Sequence, residues 1–582
     1  MAMTDLQIFQ AHGLFFVLGT QLHVFVFRKG EWDTATTRLF RNFTLGIGLL
    51  TAALSRGAPE TFQTNAAALK TAGSLTAALV AGIYTSLLVY RAAFHRLNGF
   101  KGPFLARLSN LWITSRAVKE LHMYTEVQQL HEQYGDIARR SCLSTIQRPF
   151  FQYTRIAHRV PKARGMESCI PCTRYSSSET SKSTRKGARV GIEGSARKVI
   201  QELAQRRFGV SQLTRGLALR DYEFRVADYT NQLLASIDKN KGRPFNISDW
   251  FNFYSFDVMG DLAFGKSFGM LKEGIKHYFM TSLHQDMQAI GMFSHMLWLF
   301  PIFKNTPILN ENNKRFWKFV TSQVDERIAN PPDRPDVFSW ILEEYQSLKN
   351  PTWQDTLNLY GDAYLIIVAG SDTTAASLTC LFFELAQKPD VYQRLREEID
   401  DYFAQNAEPE HSALSKLPYL QACIDETLRL HPPVPSGVQR MTPPEGIDID
   451  GTFIPGDTII QVPTHTMFRG KSQKEMVSSF IVVSADGAND FIPERWTSRP
   501  DLAKDPAAFV PFGTGKYSCV GKQLGLMEIR YCASQIINRY DVAFAPGQKA
   551  EAFIDGKKDG FTLSLPELEV IFKAREAGKV TA

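Results

Sequence analysis

The first hundred residues are patterned differently from all that follows. Leu6 to Phe27 carries no Asp, Glu, Lys or Arg and ends at Arg28-Lys29, and Thr71 to Tyr90 is a second uncharged run followed by Arg91, Arg96 and Lys101. Between them Asn42 to Ser55 is apolar but shorter than the roughly 20 residues a spanning helix needs. The basic flanks favour a cytosolic side for residues 28–41 and for everything after 91. Both placements hold only if the middle run also crosses. An anchor over residues 1–98 is therefore expected, with three transmembrane helices at about 6–27, 42–55 and 71–90; buried core helices are the competing reading. The first run is too long for a cleavable signal and lacks a positive lead-in.

"GFKGPF" (99–104) reads as a hinge, because Gly and Pro stop one helix and redirect the chain. A helical, amphipathic pattern covers 105–137. It returns from Ala218 in "LRDYEFRVADYTNQLLASI" and "WFNFYSFDVMGDLAFG" and dominates to about 435. "IDIDGTFIPGDTIIQVP" then alternates around glycine turns, as short strands do. A helix follows Cys519, and the chain ends in strands. The fold class is mainly α with a small β region, in one large domain over 105–582.

Charge changes this picture at one place. The 582 residues carry a formal +7, yet residues 139–216 alone hold 17 Lys+Arg against 4 Asp+Glu, so the rest of the chain is net acidic. That basic stretch has little periodicity and offers no folded recognition face, which excludes a nucleic-acid partner. "CIPC" (169–172) lies within it, and a single CxxC without a second pair is weak as a zinc site. Seven cysteines, at 142, 169, 172, 380, 423, 519 and 532, are odd in number and scattered. They argue for a reducing compartment rather than a disulfide framework.

Four stretches carry candidate chemistry. In "FVPFGTGKYSCVG" (509–521), Phe512, Gly515 and Gly521 surround Cys519 with backbone that can turn tightly around a sulfur. The next residues look helical, so a helix N-terminus would favour negative charge there. Taken alone, such a cysteine reads as a structural or free thiol. "YLIIVAGSDTTAASLTCLFFELAQKP" (364–389) is a long apolar helix interrupted by Asp372-Thr373-Thr374, where Gly370 thins the helix and a hydroxyl can bond back to an earlier carbonyl. Glu426-x-x-Arg429 sets opposite charges on one helix face. "DFIPERW" (490–496) supplies Arg495.

In this order and spacing, "AGSDTT", "ETLR", "FIPERW" and "FGTGKYSCVG" resemble a cytochrome P450, over roughly 91–137 and 218–575. The anchor and hinge resemble those of fungal microsomal members. The resemblance implies a haem-binding monooxygenase domain and a haem b whose iron takes Cys519 as axial ligand, within the loop of Phe512, Gly515 and Gly521. It further implies proton delivery by Asp372 and Thr373, a buried structural triad of Glu426, Arg429 and Arg495, and a haem-propionate contact at Arg440. Electrons would come from NADPH through NADPH-cytochrome P450 reductase. The substrate would be a lipophilic small molecule of secondary metabolism, and the catalytic domain would lie on the cytosolic face of the endoplasmic reticulum membrane, in contact with its lipid. A haem-dependent rearrangement or coupling enzyme without net hydroxylation is one alternative. A non-functional membrane protein is the other.

Three departures from the family pattern stand out. Tyr517 occupies the position, two before the cysteine, where many members carry Arg or His. Residues 139–216 replace the family's haem-covering loop and helix and contain no Trp; a shifted reading frame, a disordered basic loop and an anionic-membrane contact each account for this. Residues 470–489 lengthen a connection that is usually shorter, as a retained intron or a surface insertion would.

Overall fold

The structure, a computed structural model, describes residues 5–29, 32–135, 137–140, 217–332, 336–449, 451–469, 487–503 and 505–575. Most of the atypical basic stretch (141–216) and most of the 470–489 stretch (470–486) lie outside the described residues.

Three long helices form the amino-terminal part: α1 (Asp5–Leu22), extended by a π turn over His23–Phe27, α2 (Thr36–Gly57), and α3 (Asn65–Val89). The Thr64 hydroxyl caps α3 by accepting the Ala67 N–H at 3.2 Å. Leu6–Phe27 and Asn65–Phe94 are long and apolar enough to cross a membrane; α2 falls short of that hydropathy. Helices α1 and α3 lie side by side in parallel. His12 Nε2 meets Ser74 Oγ at 3.0 Å, and His23 Nδ1 meets Ser86 Oγ at 2.9 Å, so partner numbers rise together. Glycine permits the contact: a Cβ on Gly19 would sit 2.0 Å from the Leu79 carbonyl oxygen, and one on Gly82 would sit 2.0 Å from that of Phe16.

The helices that position the site are α4 (Leu217–Asn240), α5 (Ile247–Phe264), α6 (Tyr278–Phe293), α7 (Trp353–Gln387), α8 (Pro418–Leu430) and α9 (Lys522–Arg539). The 35-residue α7 runs through the core. It starts at a capping box in which the Thr352 hydroxyl accepts the Asp355 N–H while the Asp355 carboxylate accepts the Thr352 N–H. Although α7 is itself long and apolar enough to cross a membrane, it is largely buried inside the protein. Its packing on α5 brings Met259 against Gly370, so that glycine serves close approach of the two helices.

The strands are short, as the sequence predicts: β1 (Pro244–Asn246), β2 (Gln439–Met441), β3 (Ile447–Ile449), β4 (Thr452–Ile454), β5 (Ile459–Gln461), β6 (Tyr540–Phe544), β7 (Lys558–Gly560), β8 (Thr562–Ser564) and β9 (Glu569–Ala574). They pair antiparallel as β1-β9-β6, β2-β5, β3-β4 and β7-β8. The sequence pattern predicts no strand between the helices at 244–246. There Phe245 pairs with Val570, which ties the middle of the chain to its far end.

The hinge is held from outside its own sequence. Arg139, buried, donates its N–H to the Lys101 carbonyl at 2.8 Å and a guanidinium N–H to Asn98 Oδ1 at 2.7 Å.

Candidate active site

The loop before α9 is built around the Cys519 backbone. The Cys519 N–H donates to the Phe512 carbonyl at 2.7 Å, and the intervening chain turns through Gly513 (φ 66°) and Gly515 (φ 70°), left-handed values that favour glycine. A short 3-10 turn, Gly515–Tyr517, precedes the cysteine, and Gly521 is the N-cap of α9. The Gly521 and Lys522 backbone N–H groups point at Sγ. Desolvation by the neighbouring chain raises the thiol pKa even though Cys519 is exposed, and these N–H groups and the Lys522 ammonium oppose that rise. Phe512 is half-buried, with the Lys522 ammonium 5.6 Å over its ring.

Helix α9, which follows this loop, packs against α7. A Cβ added to Gly525 would meet Thr374 Oγ1 at 3.5 Å, so the first turns of α9 pack beside Asp372-Thr373-Thr374. Along the middle of α7 most side chains are buried, but Ala369 is exposed and Thr373 half-buried. The Thr373 hydroxyl bonds back to the Ala369 carbonyl at 2.8 Å. Asp372 is turned the other way, buried, with Oδ1 3.2 Å from His284 Nε2 on α6 and Oδ2 accepting from the Thr562 hydroxyl of β8 at 3.4 Å. Sequence reasoning missed His284 and Thr562. They stand 88 and 190 positions from Asp372, and nothing local to them signals the contact.

Glu426, Arg429 and Arg495 come together, all fully buried. Arg429 donates to Glu426 Oε2 at 2.8 Å and Oε1 at 2.9 Å, and Arg495 Nε donates to Oε1 at 3.3 Å. The Trp496 indole N–H and the Ile492 N–H complete the carboxylate's shell, at 2.9 and 3.0 Å. The remaining guanidinium N–H groups go to carbonyls: Arg429 to Ala488 and Asp490, Arg495 to Gly487 and Leu502. Burial lowers the Arg495 pKa while Glu426 opposes that. Gly487 and Ala488, near the end of the 470–489 stretch, thus contribute backbone carbonyls to this core.

Arg440, on β2, sets its guanidinium 5.4 Å over the Tyr517 ring and donates to the Gln439 carbonyl at 3.0 Å. The two residues singled out in separate parts of the sequence are therefore neighbours, and Tyr517 holds by cation–π contact the cation it does not itself supply.

A family model for cytochrome P450 matches residues 103–572. The chain belongs to the cytochrome P450 family. It is 46% identical over 571 residues to the cytochrome P450 monooxygenase FCK2 of Fusarium pseudograminearum, covering 97% of this chain and 98% of that one. To a tryprostatin B 6-hydroxylase of Aspergillus fumigatus it is 33% identical over 569 residues, covering 96% and 95%. The cytochrome P450DA heme domain superposes with a TM-score of 0.50 at 17% identity, over 63% of this chain and 76% of that one, a likeness of fold. This P450 is accordingly an oxidoreductase of the monooxygenase class, and membership implies a haem-thiolate iron.

The residues present fit that group. Cys519 offers a sulfur with two backbone N–H donors aimed at it, Arg440 offers a cation beside the same loop, and α7 offers Ala369 and Thr373 as its least buried central side chains.

Proposed function

We propose that this P450 inserts one oxygen atom from O2 into a lipophilic small molecule of fungal secondary metabolism. The observation that supports the reading is the contact of α9 with α7, where Gly525, six residues after Cys519, lies against Thr374. Cys519 would hold the haem iron, with the Gly521 and Lys522 N–H groups sharing the thiolate's charge. Bound there, the haem supplies the oxygen-activating chemistry. Phe512 and Gly515 shape the loop, Gly521 starts the helix behind it, and Arg440 would neutralise a propionate carboxylate. Asp372 and Thr373 would hold and pass protons on the α7 side, a general-acid role. Glu426, Arg429 and Arg495 would fix the loop's supporting chain. NADPH would supply electrons through NADPH-cytochrome P450 reductase on the same membrane face. The hydroxylation named for the tryprostatin B 6-hydroxylases supports the substrate class.

We further propose that the anchor crosses the endoplasmic reticulum membrane three times, with the catalytic domain cytosolic. Two adjacent helices that cross in the same direction need a return crossing between them. Helix α2, with 22 residues, spans about 33 Å. Arg38 and Arg41 then stand at the cytosolic rim and Arg56 at the lumenal one, which puts the 58–64 loop in the lumen. A glycosylation acceptor placed in that loop is expected to be modified; an unmodified loop in a correctly inserted protein would contradict three crossings. We propose that residues 139–216 are written in a shifted frame, because the family pattern runs normally on both sides; transcript sequencing that upholds the written frame would contradict this.

Incubation of membranes holding the full chain with reductase, NADPH, oxygen-18 gas and a fungal metabolite extract tests the activity. The expected result is a product carrying one labelled oxygen. A new product without label would instead favour rearrangement or coupling.

A further inference from the structure

Asp372 as a proton donor raises a question that α7 alone does not answer. A buried carboxyl that gives up a proton in each turnover must regain one. Among the described residues it has two polar contacts: the Thr562 hydroxyl at 3.4 Å and His284 Nε2 at 3.2 Å. Of these only the imidazole exchanges protons readily near neutral pH. It is also the one that reaches water, since the His284 side chain is 24% exposed where that of Asp372 is 6% exposed. The His284 ring lies edge-on to Phe256, centroids 6.4 Å apart, so an apolar wall on α5 flanks the path.

We propose that His284 is the positioning residue through which Asp372 is re-protonated from solvent. The proposal rests on the reading of Asp372 as a proton donor. In the step, solvent delivers a proton to Nδ1, and the Nε2–H proton passes to Asp372 Oδ1. The N–H bond at Nε2 breaks as the O–H bond at Oδ1 forms, and no electron changes hands. The imidazole is left neutral, and exchange with solvent restores the proton to Nε2. Release toward the Thr373 side of α7 then requires the protonated carboxyl to turn away from His284 and Thr562. Thr562, holding Oδ2, keeps the carboxyl oriented until then.

The test uses the full-length protein with reductase and NADPH, and it needs no known substrate. The share of electrons that end in hydrogen peroxide rather than water is measured, with the solvent isotope effect on NADPH consumption, for His284→Gln, His284→Ala and Asp372→Asn. Glutamine retains a hydrogen bond to Asp372 but cannot relay a proton. The expected result is that H284Q and H284A raise the peroxide share and the isotope effect alike, and that H284Q adds nothing when combined with D372N. A merely structural role predicts instead that H284Q behaves as wild type, which would overturn the proposal. A readout without turnover is the infrared stretching band of carbon monoxide on the reduced protein. It is expected to move in the same direction in H284Q and D372N, and movement in D372N alone would count against a His284–Asp372 unit. If D372N itself leaves the peroxide share unchanged, the reading of Asp372 fails and takes the proposal with it. If D372N changes it and H284Q does not, only the proposal falls.

Discussion

Arg429 grips Glu426 through two parallel hydrogen bonds, 2.8 and 2.9 Å, with both side chains fully buried. Arg495 leans on the same carboxylate, so one anion answers two buried cations. Glu426→Ala is therefore expected to strand two guanidinium groups and to destabilise the fold by about 3–5 kcal/mol. The fraction of purified protein that carries haem, together with its thermal half-life, reads this out; near wild-type values for both would contradict it.

Glu528 on α9 is buried, and among the described residues its Oε2 has no hydrogen-bond partner. Burial alone pushes its pKa well above the usual 4.5. In the unfolded chain the group ionises near that usual value, whereas the folded chain keeps its proton to higher pH. Between the two values the folded state binds more protons, so this contribution to stability declines as pH rises above about 4.5. Glu528→Gln, which cannot ionise, is expected to flatten the decline and to raise the unfolding midpoint at pH 8. Parallel stability–pH curves for the two proteins would show that Glu528 ionises freely in the fold.

Asp372→Asn and Thr373→Ala should act on proton delivery rather than on haem binding. Each is expected to retain the full carbon-monoxide band while product formation falls by about 10²-fold or more, with NADPH still consumed and peroxide released. Loss of the band in either variant would reassign the residue to holding the haem site together.

The contacts of Gly19 and Gly82 set the spacing of α1 and α3. Cysteines introduced at positions 12 and 74, whose native side chains are 3.0 Å apart, are expected to cross-link in membranes. Adding Gly82→Leu should abolish the cross-link, because its side chain would meet the Phe16 carbonyl. A cross-link that survives would mean the helices do not pack through this face.

What was legible in the sequence was legible for a local reason. The Cys519 loop, Asp372-Thr373 and Glu426-x-x-Arg429 each place their chemistry within a few residues of one another, and Arg495 came with its own short motif. Contacts between distant positions left no such trace. His284 reads as one more polar residue on an amphipathic helix, and Pro244-Phe245-Asn246 reads as a loop until Val570 supplies its partner. Arg440 stands out in the sequence as a cation and Tyr517 as a missing one, but only the fold stacks them. In the anchor, the flanking arginines were enough to suggest three crossings. Gly19 and Gly82 look like any other glycines in an apolar run, so the parallel contact was not readable.

The central claim is that this chain folds around a haem held by Cys519. The most direct measurement is the reduced carbon-monoxide difference spectrum of membranes containing the full chain, beside the same membranes with Cys519→Ala. A red-shifted Soret band that disappears in the variant is the predicted result. Folded protein without the band, or a band that survives loss of Cys519, would contradict the account.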